Sequence, residues 1–198
     1  MSKIWFTSDT HFKSERTLQL SKRPFDSVME MDNTIINNWN SLIDKNDTVY
    51  HLGDFGKYDY IKELNGTVIL ICGNYEITDI IGKFNSNCEK FKDTLLKLGF
   101  RDVKIKGYDY NFDYYSEWIS ENDKKWSLNM SHKPSELPNV FALNQFNLFG
   151  HIHGLQKVKK RGLNVGIDAH NYEPIDVDTV IFYHEAIRKF YDNDVFIQ

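Results

Sequence analysis

Thr48-Val49-Tyr50-His51-Leu52-Gly53-Asp54 is a short apolar and aromatic run that stops at a glycine and a carboxylate. Such a run reads as a buried strand that delivers a polar side chain at its C-terminal end. The same pattern stands on either side of it. Upstream, Ile4-Trp5-Phe6 runs into Thr7-Ser8-Asp9-Thr10-His11, and downstream Thr67-Val68-Ile69-Leu70-Ile71-Cys72 stops at Gly73-Asn74. Between the first two, Val28, Met31, Ile35, Trp39 and Leu42 recur at spacings of three and four. That stripe predicts a helix over 27–43, with Ser27 as N-cap and Glu30 completing a capping box. Shorter helical segments are expected around 58–64 and over Cys88–Leu98, the latter closed by Gly99. Strands alternating with helices predict a βαβ-like half, and the loops after such strands carry chemistry.

The second half changes character. Asp102–Lys106, Trp126–Met130, Phe146–Phe149 and Leu163–Ile167 read as strands, followed by a helix near Thr179–Phe190. No repeat, linker or low-complexity tract divides the 198 residues, so a single domain over 1–198 is expected. Hydrophobic residues at 41% and charged ones at 26% exclude a disordered or fibrous chain. With 24 Lys+Arg against 28 Asp+Glu the net charge is −4, so no face for gripping extended duplex nucleic acid is expected. Two cysteines, Cys72 and Cys88, fit a reducing compartment. The N-terminal apolar run is too short for a signal peptide, and no stretch approaches the roughly 20 apolar residues of a membrane span. A cytoplasmic protein without membrane partners is the expectation.

Taken in order, the strand ends supply Asp9 and His11, Asp54, Asn74, His132, and His151 and His153, each a potential ligand to a divalent metal. Four of the 7 histidines fall in these places. Carboxylate, imidazole and amide oxygen together suit Mn, Fe or Zn. Residues i and i+2 of an extended segment point the same way, so Asp9 with His11 and His151 with His153 are expected to act as two pincers. Asp54, after a glycine that allows close backbone approach, is the candidate to bridge two ions, with Asn74 and His132 completing the ligands.

In these motifs the sequence resembles the calcineurin-like metallophosphoesterase family, whose ordered signatures are D-x-H, G-D, G-N-H-[DE], G-H or S-H, and G-H-x-H. The resemblance spans residues 4 to 168 and is nearest a small branch of bacteria and phages with S-D-T-H-F, R-P-F and Y-H-L-G-D-F, here Ser8–Phe12, Arg23–Phe25 and Tyr50–Phe55. It implies a four-layer α/β/β/α sandwich of two mixed sheets. It also implies two divalent ions, Mn first, with Fe, Zn or Ni possible. One would be held by Asp9, His11, Asp54 and His153, the other by Asp54, Asn74, His132 and His151. The implied chemistry is attack on phosphorus by a hydroxide bridging the metals. A phage origin, with the host cytoplasm as location, rests on this resemblance alone.

Two departures bear on activity. Where the family carries its general-acid His, this chain has Gly73-Asn74-Tyr75-Glu76, so the catalytic set expected is Asp54, Asn74 and Tyr75. A phenol can donate a hydrogen bond, but loss of general acid catalysis costs typically about 10²–10⁴-fold and weighs most on poor leaving groups. The branch also carries Gly-His after its S-D-T-H-F, and here Lys13-Ser14 stands there. After Gly53-Asp54 the phosphatase motif G-D-x-x-D-R-G is absent. The expected function is therefore a phosphodiesterase on a small phosphoester, such as a nucleotide or cyclic nucleotide, or on a nucleic-acid end. The alternative is a binding module that kept the sandwich and lost efficient chemistry. His51 and His184 read as core residues, and His170 as a candidate for the substrate rim. Lys157–Arg161 reads as a solvated hairpin, and Tyr108–Trp118 as an insertion over the site or a partner surface.

Overall fold

The three apolar runs that end in polar residues become parallel neighbours. In a computed structural model, which describes residues 2–121, 124–139, 143–160 and 162–196, β1 (Ile4–Thr7), β2 (Thr48–His51), β3 (Thr67–Ile71) and β4 (Asp102–Lys104) form one parallel array. Ile4 pairs with Thr48 and Thr48 with Thr67, so the C-terminal ends of β1 to β3 emerge along one edge. That register brings Asp9, Asp54 and Asn74 together from positions tens of residues apart.

The second half builds another mixed sheet from β5 (Tyr115–Glu121), β6 (Lys124–Met130), β7 (Gln145–Phe149), β8 (Val158–Lys159) and β9 (Gly162–Asn164), in the order β5-β6-β7-β9-β8. Here β6, β7 and β9 run parallel while β5 and β8 are antiparallel to their neighbours. β10 (Ile175–Asp176) returns to the first sheet, antiparallel to β1.

Period-two alternation sorts the side chains into two cores. From the first sheet, Trp5, Val49, Val68, Leu70 and Val103 face helices α2 (Val28–Leu42) and α4 (Cys88–Leu98), meeting Met31, Ile35, Trp39, Phe91 and Leu95. Phe6, Tyr50, Leu52 and Ile71 face the other way, onto Leu128, Met130, Phe146, Leu148 and Leu163 of the second sheet. Each fully buried aliphatic or phenyl side chain contributes on the order of 1.5–3 kcal/mol relative to exposure. α5 (Val177–Phe190) closes against the second sheet, where His184 packs on Trp126 and Phe146. The expected α/β/β/α sandwich of two mixed sheets is the fold observed. Among the described residues no helix is long and apolar enough to cross a membrane.

The local departures have local causes. Ser27 caps α2 through the N–H of Glu30 at 3.1 Å, but the Glu30 carboxylate reaches back to the N–H of Asp26, one residue short of the expected box. The segment 58–64 is a 3₁₀ turn, Tyr58–Glu63. α1 (Glu15–Leu20) and α3 (Asn74–Lys83) escape the sequence pattern, because one is a short capped turn and the other begins inside a site motif. The strand expected over 163–167 stops at Asn164, and the one expected over 102–106 stops at Lys104. Tyr108–Trp118 is not an insertion over the site: it turns through Lys106–Tyr110 and then enters β5, the edge strand paired to β6. The basic run is the β8–β9 hairpin, with Arg161 outside the described residues.

Candidate metal centre

The described residues bring the candidate ligands into two adjoining groups, Asp9 with His11 and His153, and Asp54 with His132 and His151. Within each, one ligand atom per residue lies within 4.8 Å of the others. Asp54 stands between the groups, because its Oδ2 is 3.6 Å from His11 Nε2 and 3.4 Å from His132 Nε2. His11 Nε2 is 3.8 Å from Asp9 Oδ1. These gaps are too long for hydrogen bonds, whereas donors about 2.1 Å from one cation lie about 3–3.5 Å apart.

Some of the donors have no protein partner, although His132 Nε2 lies 3.1 Å from His151 Nδ1 and Asp54 Oδ1 accepts the N–H of Tyr75. Asp9 Oδ1, both ring nitrogens of His11 and Asn74 Oδ1 are buried with no hydrogen-bond partner. Buried polar atoms are otherwise nearly always paired, since each orphan costs about 1–3 kcal/mol. A divalent cation would satisfy that donor set. Asn74, expected as an amide-oxygen ligand, thus offers its oxygen at the start of α3.

The pincer geometry is only half right. Asp9 and His11 share one group, but His151 and His153 fall into different ones. Neither pair is extended: Asp9, His11, Asp54, His151 and His153 all have positive φ, between 48° and 71°. Non-glycine residues in the left-handed region are uncommon and cluster at functional sites. Left-handed backbone occurs at both residues of each pair, yet Asp9 and His11 still meet whereas His151 and His153 do not. Gly53, at φ 92°, allows the backbone crossing: a Cβ there would lie 2.5 Å from the amide nitrogen of Gly73. Gly150 has no room for a Cβ either, because Ser8 Oγ and Asp9 Oδ2 press against it.

Hydrogen bonds behind the donors fix their aim. His132 donates its Nδ1 proton to the carbonyl of Leu52 at 2.8 Å, turning Nε2 toward Asp54. His153 donates from Nδ1 to Asp168 Oδ2, also at 2.8 Å, which leaves Nε2 for the site. Such outer partners set the tautomer and basicity of a ligating imidazole. Asp168 is in turn held by Nε and Nη2 of Arg23, which also donates to the carbonyls of Asp9 and Thr10 and to Met31 Sδ. Glu76, fully buried, accepts the backbone N–H groups of Asp54, Phe55 and Gly73 at 2.8–2.9 Å.

The electrostatics follow from burial and these partners. Burial drives His11 down to about 4, against the pull of Asp9 and Asp54, so it is neutral and free to ligate. Burial also acts to lower His132, but the Asp54 carboxylate 3.4 Å away and the charge of Asp9 carry it up to about 9. Asp54 sits below the usual carboxylate range: burial raises it, and His132 and His11 outweigh burial. Asp168 is held down at about 2 despite burial by His153 and Arg23.

Of the remaining histidines, His51 is buried and hydrogen-bonded to Thr10, and His184 is buried in α5, as expected of core residues. His170 is not on the rim. It is buried and donates from Nε2 to the Asn164 carbonyl at 2.7 Å, and the member of its loop that reaches the site is Asp168. Sequence reasoning missed Asp168 and Arg23, although Arg23 opens the R-P-F motif. The available signal was Gly166-Ile167-Asp168, another glycine followed by a carboxylate after a strand.

Comparison with known proteins bears on this arrangement. A family model described as calcineurin-like phosphoesterase matches residues 2–155. An uncharacterized protein of Methanocaldococcus jannaschii is 28% identical over 193 residues, covering 91% of this chain and 90% of that protein. The gene 66 protein of Mycobacterium phage L5 is 26% identical over 199 residues, covering 85% and 88%. The crystal structure of a protein of unknown function from Aquifex aeolicus shares the fold, with a TM-score of 0.61 and 23% identity over 92% of this chain and 99% of that one.

Proposed function

Because the chain belongs to the calcineurin-like phosphoesterase family, for which metal-dependent phosphoester hydrolysis is the implied chemistry, we propose that it is a phosphodiesterase working with two divalent ions, Mn first. The substrate proposed is a nucleotide, a cyclic nucleotide or a nucleic-acid end. The observation that carries this reading is the place of Asp54, whose one oxygen faces both His11 and His132 across the two donor groups. Asp9, His11, Asp54 and His153 would hold one ion, and Asp54, Asn74, His132 and His151 the other. When bound, such ions supply Lewis acidity and bring the pKa of their water from about 15.7 toward 7.

The chain's own residues do the rest. Asp54 Oδ1 accepts the N–H of Tyr75 at 2.9 Å, so the bridging carboxylate also fixes the residue in the acid position. Two cavities meet at Asn74, one of about 720 Å³ past His11 and Tyr75 and one of about 550 Å³ past His132 and Lys133. A diester has an arm for each. Tyr75 supports a second reading, in which the site binds phosphoesters with little turnover.

Hydrolysis of bis(p-nitrophenyl) phosphate by Mn-loaded protein tests the assignment, since its acidic leaving group scarcely needs an acid. Metal-dependent turnover that drops at least 100-fold in Asp54→Asn is expected. Full turnover in that variant with both metals bound would sink the reading, and no turnover by loaded wild type would select the binding module.

A further inference from the structure

Resting on that reading, we propose that Arg16 and Tyr75 form a receptor for a second phosphate, so that the departing group of the preferred substrate itself carries a phosphate. Arg16 Nη1 donates to the phenol oxygen of Tyr75 at 2.9 Å. A hydroxyl oxygen that accepts from a guanidinium keeps its own proton for another acceptor. The Tyr75 ring stands edge-on to His11, with centroids 4.8 Å apart, so the phenol borders the first donor group.

Arg16 is exposed, and among the described residues this phenol is its single hydrogen-bond partner and no carboxylate pairs with it. Its remaining donors form a planar fork, the geometry that grips phosphate oxygens in pairs. Arg16, Tyr75 and Lys22 line the 720 Å³ cavity, whose lining holds no carboxylate other than Asp54. Leu20 and Leu155, 68% and 87% exposed, flank the same cavity and offer an apolar surface beyond the charges. Both departures from the family pattern meet here. Ser14 caps the helix α1 that carries Arg16, and Arg16 reaches Tyr75.

A phosphate one bridging oxygen beyond the scissile phosphorus meets the phenol O–H and the guanidinium together. Hydrolysis joins a water oxygen to the scissile phosphorus and breaks the bond to the bridging oxygen. The bonding pair leaves on the departing phosphate, and the protons of water pass to the products and solvent. Charge on the departing phosphate is then met by Arg16, and a strong acid in the family's position is dispensable.

Two measurements on the Mn-loaded protein test this. In equilibrium titration, inorganic pyrophosphate should bind at least tenfold more tightly than inorganic phosphate, and Arg16→Gln should remove most of that difference. In kinetics, the ratio of kcat/KM for adenosine 5′-diphosphate over bis(p-nitrophenyl) phosphate should fall at least tenfold in Arg16→Gln, with Arg16→Lys between. Equal binding of the two anions, or an equal loss on both in the variant, overturns the receptor. Pyrophosphate preference without turnover upholds the receptor while refuting the phosphodiesterase reading, and turnover without preference does the reverse.

Discussion

Asp168 accepts the Nδ1 proton of His153 at 2.8 Å, with Ser21 Oγ 3.3 Å from the same nitrogen, and these contacts turn Nε2 toward the site. Asp168→Asn removes the negative charge that raises the basicity of the ring and can turn an N–H toward it instead. Second-sphere losses of this kind typically lower metal affinity about 10–100-fold. The expected result is that loss in Mn affinity by titration, with the second ion less affected. The variant also leaves the buried Arg23 guanidinium without its carboxylate, keeping only neutral partners, so a stability loss of up to about 3–5 kcal/mol accompanies it in urea denaturation. Undiminished metal affinity would show that His153 is oriented without the charge of Asp168.

Glu76 supplies no candidate ligand atom, yet it ties three backbone N–H groups at the turns around Asp54 and Asn74. Both of its oxygens accept, Oε2 from Asp54 and Gly73 and Oε1 from Phe55. In Glu76→Gln an amide NH₂ faces at least one of those N–H groups in either orientation. Leaving a buried donor unsatisfied costs about 1–3 kcal/mol, and that is the expected destabilisation, larger in Glu76→Ala. Chemical denaturation of the apo protein reads it directly, and a Gln variant as stable as wild type would contradict it.

What the sequence could reveal divides along the range of the interactions. The parallel strands of the first sheet and the helix 27–43 are written in local periodicity, so apolar runs and a 3.6-residue stripe disclose them. The ligands were legible because each ends such a strand beside a glycine. The separation of His151 from His153 was not, since spacing alone does not record the backbone path there: Asp9 and His11, with left-handed backbone of the same kind, stay together. Asp168 and Arg23 lie 145 positions apart, and their pairing is a product of the assembled fold. β5 escaped for a related reason: as an edge strand with one open face, its Tyr115-Ser116-Glu117-Trp118 lacks the apolar run that marks a buried strand.

His170 is expected to contribute an acid-sensitive part of the apo protein's stability in a defined interval. Burial holds its imidazole down at about 4, against an ordinary 6.5, although the Asn164 carbonyl opposes the shift. The unfolded chain therefore takes up a proton, as pH falls below about 6.5, that the folded chain refuses until about 4. Stability from this residue is fully present above the upper value, is lost as pH falls through the interval, and levels off below it. The total is at most about 3 kcal/mol, at 1.36 kcal/mol for each unit. In His170→Gln, whose amide can still donate toward Asn164, the slope of unfolding free energy against pH should be shallower between pH 6.5 and 4. Parallel curves for the two proteins would remove His170 from the acid response.

Tyr75→His restores an imidazole where the family carries its acid, and the neighbourhood decides how much that gains. General acid catalysis contributes typically about 10²–10⁴-fold and grows with leaving-group basicity, so alkyl esters should gain more than p-nitrophenyl esters. Arg16, which donates to the tyrosine oxygen, would then stand beside a ring that must carry positive charge to act. Repulsion between the two disfavours the protonated imidazole. The single variant should therefore gain about tenfold on an alkyl ester, and the Tyr75→His, Arg16→Gln pair should gain more than the two changes summed. Steady-state kinetics over both leaving-group types, run as a double-mutant cycle, measures that coupling. Equal gains on alkyl and aryl esters would mean that the phenol does not limit turnover, and additive effects would mean that Arg16 exerts no hold on the acid position.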